Sequence, residues 1–327
     1  MRVRSGIYFS TLLWGLLSAL LVAVFWNLST GYMKLDFADF LSSASQNHQI
    51  AQLRVNRVLA VLLAGISIPT SGFILQEYFR NPLAGPEVLG ISSVASLGVA
   101  LYIFLSQDFV LPEFLQNSFL NIAAIAGSMV MMVVLLAFSH KIRDKSFLII
   151  FGFLVSALAG AVISVLQYYA DNQSLKNYIL WSFGANNQLT GNQLLVLTST
   201  VTAGLAMAFL TIRPLIGSAL GIQYARSLGV RLSRLKLLVI LSSSFLSASV
   251  TAFLGPVLFI GIVVPHFCRM IYNPSRLWQQ WILNMFLGAV ILEVFSVLSE
   301  ILSLPMNVIS SLFGIPVIIS MLLKNKL

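Results

Sequence analysis

Apolar runs alternate with short polar breaks along nearly the whole chain. Runs near 7–26, 58–77, 88–106, 118–138, 147–168, 192–212, 237–254, 282–302 and 306–323 each approach the roughly 20 residues that a helix needs to cross a ~30 Å hydrocarbon core. The stretch 257–271 is shorter and interrupted by Gly261 and Pro265, so apolarity alone leaves it open. Counting it predicts an all-α polytopic membrane protein of about ten transmembrane helices, with both ends of the chain on one side. No break is long enough for a soluble domain, so 1–327 reads as a single transmembrane domain.

One break is chemically unusual. Residues 80–91 read Arg80-Asn-Pro-Leu-Ala-Gly-Pro-Glu-Val-Leu-Gly-Ile91 between two apolar runs. Proline lacks the N–H that a helix requires and restricts the residue before it, so this segment predicts a non-helical elbow. Irregular backbone near a bilayer is tolerated only where protein buries it or water reaches it. An elbow here therefore borders either an aqueous path or a docking surface.

Composition supports membrane residence: 58% of residues are hydrophobic and only 9% charged, against roughly 25% charged in soluble domains. Arg2 and Arg4 precede the first run, which is longer than a signal-peptide core and shows no persuasive cleavage site, so it reads as an uncleaved span. Basic residues then orient the chain. With the N-terminus cytoplasmic and ten spans, only Lys34, Arg54, Arg57 and Lys176 of the 19 Lys and Arg fall outside. Nine spans would move Lys324 and Lys326 across, so the bias favours counting 257–271. The net charge of +9 is mostly this topology signal, and no exposed basic face is left for nucleic acid.

Catalytic chemistry is sparse. The three histidines, His48, His140 and His266, are not spaced as metal ligands, and His266 reads as a helix-end hydrogen-bonding residue. The lone Cys268 excludes an intramolecular disulfide and any multi-cysteine metal site, and reads as a small buried hydrophobe. No phosphate-binding G-x-x-x-x-G-K-[ST] loop occurs, so the chain is not expected to hydrolyse ATP or act as an enzyme.

Ordered blocks then carry a resemblance: Arg54-Val-Asn-Arg57; Leu62-Leu-Ala-Gly-Ile-Ser-Ile-Pro-Thr-Ser-Gly72 and Gln76; Asn81-Pro-Leu-Ala-Gly-Pro86 with Leu89-Gly-Ile-Ser-Ser93; Ala225-Arg-Ser-Leu-Gly-Val230; and Gly255-Pro256 with Phe259-Ile-Gly-Ile-Val-Val-Pro-His266 and Arg269. From about residue 53 onward the chain resembles the FecCD family, the permease subunits of type II ABC importers for ferric siderophores, haem and cobalamin. The resemblance implies a second permease subunit, forming a homodimer or related heterodimer around a central pathway. It also implies two cytosolic ATPase subunits that hold ATP and Mg, and an extracytoplasmic substrate-binding protein. Its setting would be the bacterial cytoplasmic (inner) membrane. No cofactor or metal is expected on this chain.

The same resemblance implies roles for particular residues, beside plainer alternatives. Arg54 and Arg57 would dock the binding protein's acidic residues, or merely anchor a helix end. The family usually has Pro where Asn56 stands, and an arginine found in some members aligns near Ser296. Asn81 and Leu83 would form part of the inner gate, with Ser146 at the start of the fifth span as the other gate region; the alternative is a plain turn. Lys145 replaces a small hydroxyl found in some members. Gly152, Ser156, Gly160 and Ser164 recur every fourth residue, as a packing stripe or a pathway lining. Loop 215–234, with Gly221, Arg226, Leu228, Gly229 and Arg231, would form two short helices that couple to the ATPase; otherwise it is a basic segment against anionic lipid. Glu293 and Glu300, at i and i+7, serve the substrate path or docking, or bond locally. Ser303 stands where the family usually has Glu. A reading from another class is a secondary transporter or channel, for which these two glutamates would have to supply the coupling charge.

Overall fold

The computed structural model describes residues 2–42, 45–105, 113–141, 145–184, 189–219, 221–274 and 276–324. Arg143 and Lys326 of the inner basic set lie outside the described residues. The described regular structure is entirely helical. In chain order it comprises α1 (Arg2–Ser29), α2 (Phe37–Leu41), α3 (His48–Phe79), α4 (Ile91–Leu105), α5 (Glu113–Lys141), α6 (Lys145–Tyr169) and α7 (Asn172–Ser182). There follow α8 (Gly191–Ala219), α9 (Ile222–Ser227), α10 (Leu232–Leu254), α11 (Ile260–Ile271), α12 (Leu277–Leu302) and α13 (Met306–Lys324).

Eight of these helices are long and apolar enough to cross a membrane, and α4 and α11 are shorter apolar helices. Together they account for the ten predicted runs, including 257–271. With 15 residues, α4 reaches only about 22 Å, and the elbow before it supplies the remaining depth.

The helices are arranged around α3. Helices α8, α10, α11 and α12 pack on it, α4 packs against α5, α6 and α7, and α1 lies outside on α12. Within its most apolar window α3 is 78% buried and α1 only 6%, which separates a protein-facing from a lipid-facing span. Apolar side chains gain little by leaving lipid, so close contact between spans depends on small residues. Gly72 of α3 lies directly on the backbone of Gly261 in α11, where a Cβ would overlap the Gly261 carbonyl. Pro69 has no N–H to offer the Gly65 carbonyl one turn earlier, and Gly288 of α12 packs onto that carbonyl and the proline ring.

Three features depart from the hydropathy pattern. Helix α3 begins at His48, ten residues before the predicted run at 58, and α8 continues to Ala219 rather than 212. Polar residues at the bilayer edge remain helical, which an apolarity criterion does not register. Helix α7 was not expected; Asp171 caps it by accepting from the N–H groups of Gln173 at 2.9 Å and Ser174 at 3.1 Å. The Ser174 hydroxyl and these N–H groups hold the Asp171 carboxyl below its usual range. In 215–234 the described residues form the end of α8, one short helix, α9, and the start of α10, instead of two short helices.

Candidate functional site

The elbow is built from the end of α3. Arg80 takes a left-handed conformation, φ 53°, and its N–H closes on the Gln76 carbonyl. Asn81 Oδ1 then accepts the Leu83 N–H at 2.9 Å, so a side chain makes the turn at Pro82. Asn81 and Leu83 are both half-buried. The chain re-enters helix at Gly90, φ 79°, where a Cβ would meet the Gly152 carbonyl and Ser156 Oγ at 2.9 Å. Gly152 in turn lies under Val88 and Leu89. The elbow therefore rests on the first turns of α6 and meets Gly152 and Ser156 of the predicted stripe.

The stripe divides along its length. Gly152 is buried and Ser156 donates back to the Gly152 carbonyl at 2.9 Å. Gly160 and Ser164 are exposed, and nothing lies within 4 Å of a Cβ built on Gly160. Ser146 is exposed in the first turn of α6. Glu87 stands out in the sequence only as part of a motif, yet both its carboxylate oxygens are enclosed in the elbow. An acidic residue between Pro86 and an apolar run was the available signal.

On the same face, three contacts tie the end of α3 to its neighbours. Arg80 Nη2 donates to the Ser218 carbonyl in the last turn of α8 at 2.5 Å. Arg269 of α11 donates to Gln76 Oε1 and lies 3.6 Å from Glu77. Gln76 Nε2 donates to the Ile262 carbonyl at 3.3 Å. Beyond Ser218, Gly221 enters α9 with φ 111° and Gly229 leaves it with φ 77°, both conformations that favour glycine. Val230 N–H bonds to the Ala225 carbonyl at 2.9 Å and Gly229 N–H to Arg226 at 3.0 Å, the paired bonds of a glycine-terminated helix. Arg226, Leu228 and Arg231 are exposed.

The opposite face carries a cleft of 940 Å³, whose lining includes Tyr32, Arg54, Arg57, Glu300 and Pro305. Arg54 is only 6% exposed, and its guanidinium donates to the carbonyls of Leu28 at 3.1 Å and Met33 at 2.8 Å. It thereby caps the end of α1 and fastens the following loop. Arg57 pairs with Glu300 and donates to Asn27 Oδ1 at 3.0 Å and the Thr30 carbonyl at 3.3 Å. Asn27, fully buried, gives its amide to Glu293 Oε2 at 2.6 Å. The structure thus links Arg57, itself paired with Glu300, to Glu293 through Asn27, a residue no motif marked. Asn56, in place of the family's usual proline, donates to the Leu189 carbonyl at 2.8 Å. Ser296 lies 3.5 Å from Asn27 Oδ1.

Comparison with known proteins places these features in a wider set. The FecCD transport family matches residues 19–324. The hemin transport system permease protein of Yersinia pestis is 31% identical over 95% of this chain and 95% of its own length. The vitamin B12 import system permease protein of Klebsiella pneumoniae is 29% identical, over 96% of this chain and 94% of its own. A solved metal-chelate type ABC transporter in an inward-facing conformation superposes with a TM-score of 0.82 at 25% identity, covering 97% of this chain and 99% of that one.

Proposed function

The chain belongs to the FecCD transport family, and from that premise we propose that it is the membrane-spanning permease of an ATP-driven importer for a metal chelate. The observation that carries this reading is a family match running from within the first apolar helix through the other nine. Basic residues orient the elbow and α9 toward the cytosol and the Arg57 cleft outward. We read the cargo as an iron(III)–siderophore complex, one of the three chelates that the family resemblance implies. Haem and cobalamin stand beside it because relatives named for hemin and vitamin B12 align over nearly their whole length.

The permease works as a dimer with a second permease subunit. A separate pair of ATPase subunits, holding ATP and Mg, bears on α9, and a binding protein delivers cargo at the outer cleft. Arg57 is the residue available for docking: an incoming carboxylate takes the place of Glu300 on its guanidinium. Such an exchange conserves the ion pair and so sets register more than affinity. Arg54, with donors spent on Leu28 and Met33, shapes the wall of the cleft. Leu83, beside the polar Asn81, closes the inner end of the path by excluding water.

The test is reconstitution of the permease with its ATPase and binding protein in vesicles, offering a ferric siderophore, hemin and cobalamin in turn. Uptake of one chelate should require ATP and all subunits. Uptake driven by an ion gradient with no ATPase would replace this reading with secondary transport.

A local prediction follows from the α9 turn. Gly229→Val forces a β-branched residue into a left-handed conformation, at a cost of roughly 1–2 kcal/mol. Chelate moved per ATP hydrolysed should fall several-fold while the permease still assembles. An unchanged ratio would show that the shape of this turn does not transmit motion.

A further inference from the structure

On the elbow face, a groove of 590 Å³ runs between the last turns of α8, the turn after α9 and the first turns of α10. Its polar wall is Arg213, Arg231 and Arg234, all exposed, and no acidic residue lines it. Among the described residues no hydrogen-bond or ion-pair partner is found for these three guanidinium groups. The remaining wall is mostly apolar, with Ile216, Leu228 and Leu238 prominent.

The depth of the groove identifies its surroundings. Arg213 precedes the end of α8 at Ala219 by six residues, and Leu238 follows the start of α10 at Leu232 by six. Each lies about 9 Å along its helix from that helix end, beside the edges near 212 and 237 of the two apolar runs. A polar interval just outside an apolar run matches the headgroup layer, and beyond it Phe209 and Leu210 of α8 are exposed. Gln223, Tyr224, Arg226 and Ser227, the exposed polar side chains of α9, do not line the groove. A cytosolic protein meeting α9 would thus leave Arg213 unoccupied.

We propose that this groove is a binding site for the phosphate headgroup of an anionic phospholipid, with its acyl chains running up α8. Three guanidinium groups lining one groove suit the oxygens of a phosphodiester, and the apolar wall matches the glycerol and first methylenes. Both leaflets offer phosphate headgroups, so the site does not depend on the orientation of the chain. Leu228 and Arg231, which the family resemblance assigns to ATPase contact, face lipid on this side of the turn.

The experiment is native mass spectrometry of the full-length permease, exchanged from detergent against phosphatidylglycerol, phosphatidylcholine or inorganic phosphate. Retained phosphatidylglycerol should exceed phosphatidylcholine about tenfold, and 0.5 M salt should sharply reduce the preference, as roughly three screened cation contacts require. Arg213→Gln alone should weaken retention, and the Arg213→Gln, Arg231→Gln, Arg234→Gln variant should abolish the preference. The salt arm uses the unaltered protein, so it stands even if the triple variant folds poorly. Equal retention of the two lipids would overturn the proposal, as would full displacement by millimolar phosphate, which marks a free-anion site. Loss of ATPase assembly in the triple variant with lipid retention unchanged would also overturn it, by making the groove a protein contact.

Discussion

Gly72→Ala is expected to lower the melting temperature of the purified permease by roughly 5–10 °C and to cut its yield from the membrane. A single added Cβ there meets the Gly261 carbonyl, carbon and Cα of α11 rather than a side chain that could turn aside. Helix α3 is the most enclosed span, so its contact with α11 cannot relax by moving into lipid. Overpacking of this kind costs about 1–3 kcal/mol, more when backbone is displaced. Gly160→Ala provides the contrast, since nothing lies within 4 Å of that position and alanine favours helix by about 1 kcal/mol. It should melt with the parent or above it. Thermal denaturation followed by size-exclusion chromatography separates the two, and equal melting of Gly72→Ala and parent would mean that α3 and α11 are not in backbone contact.

The spans were legible because lipid imposes one requirement on every residue of a run, and composition reports it directly. Even 257–271, too short by apolarity, was recovered from charge, since Lys324 and Lys326 change sides with the span count. The ends of helices were less legible: α3 begins at His48 and α7 forms wholly outside the apolar runs, where capping by Asp171 decides more than hydropathy. Motifs picked out Arg54 and Arg57 as a pair, but only three-dimensional contacts distinguish them. Arg54 spends its donors on the backbone of Leu28 and Met33, whereas Arg57 meets a carboxylate that another carboxylate could replace. Asn27 was invisible because a single polar residue at the end of an apolar run carries no pattern. Its importance comes from Arg57, Glu293 and Ser296, brought to it from α3 and α12. The Gly152–Ser164 stripe was read as one surface, yet the elbow covers only its first half: Val88 and Leu89 lie on Gly152, and nothing lies within 4 Å of a Cβ on Gly160.

The elbow permits a sharper test, in which stability and coupling should move independently. Arg80 holds a left-handed backbone conformation that costs a non-glycine residue about 1 kcal/mol, and its guanidinium reaches the Ser218 carbonyl at the end of α8. Retaining arginine there gives a rigid strut between the elbow carrying Leu83 and the segment leading into α9. Arg80→Gly removes the strut and relieves the backbone strain together. Its melting temperature should stay within a few degrees of the parent's, because the lost bond and the relieved strain largely offset each other, while transport per ATP hydrolysed should fall about tenfold, the worth of a hydrogen bond to a charged group. Leu83→Ala should behave differently: vesicles should leak small solutes without ATP, and Leu83→Met, which conserves volume, should seal nearly as the parent does. If Arg80 only capped α3, the glycine variant would be at least as stable and fully coupled. If instead it is stable and uncoupled while Leu83→Ala leaks, then closing the path and driving it are separate tasks of one eleven-residue elbow between α3 and α4, the first held by Leu83 and the second by Arg80.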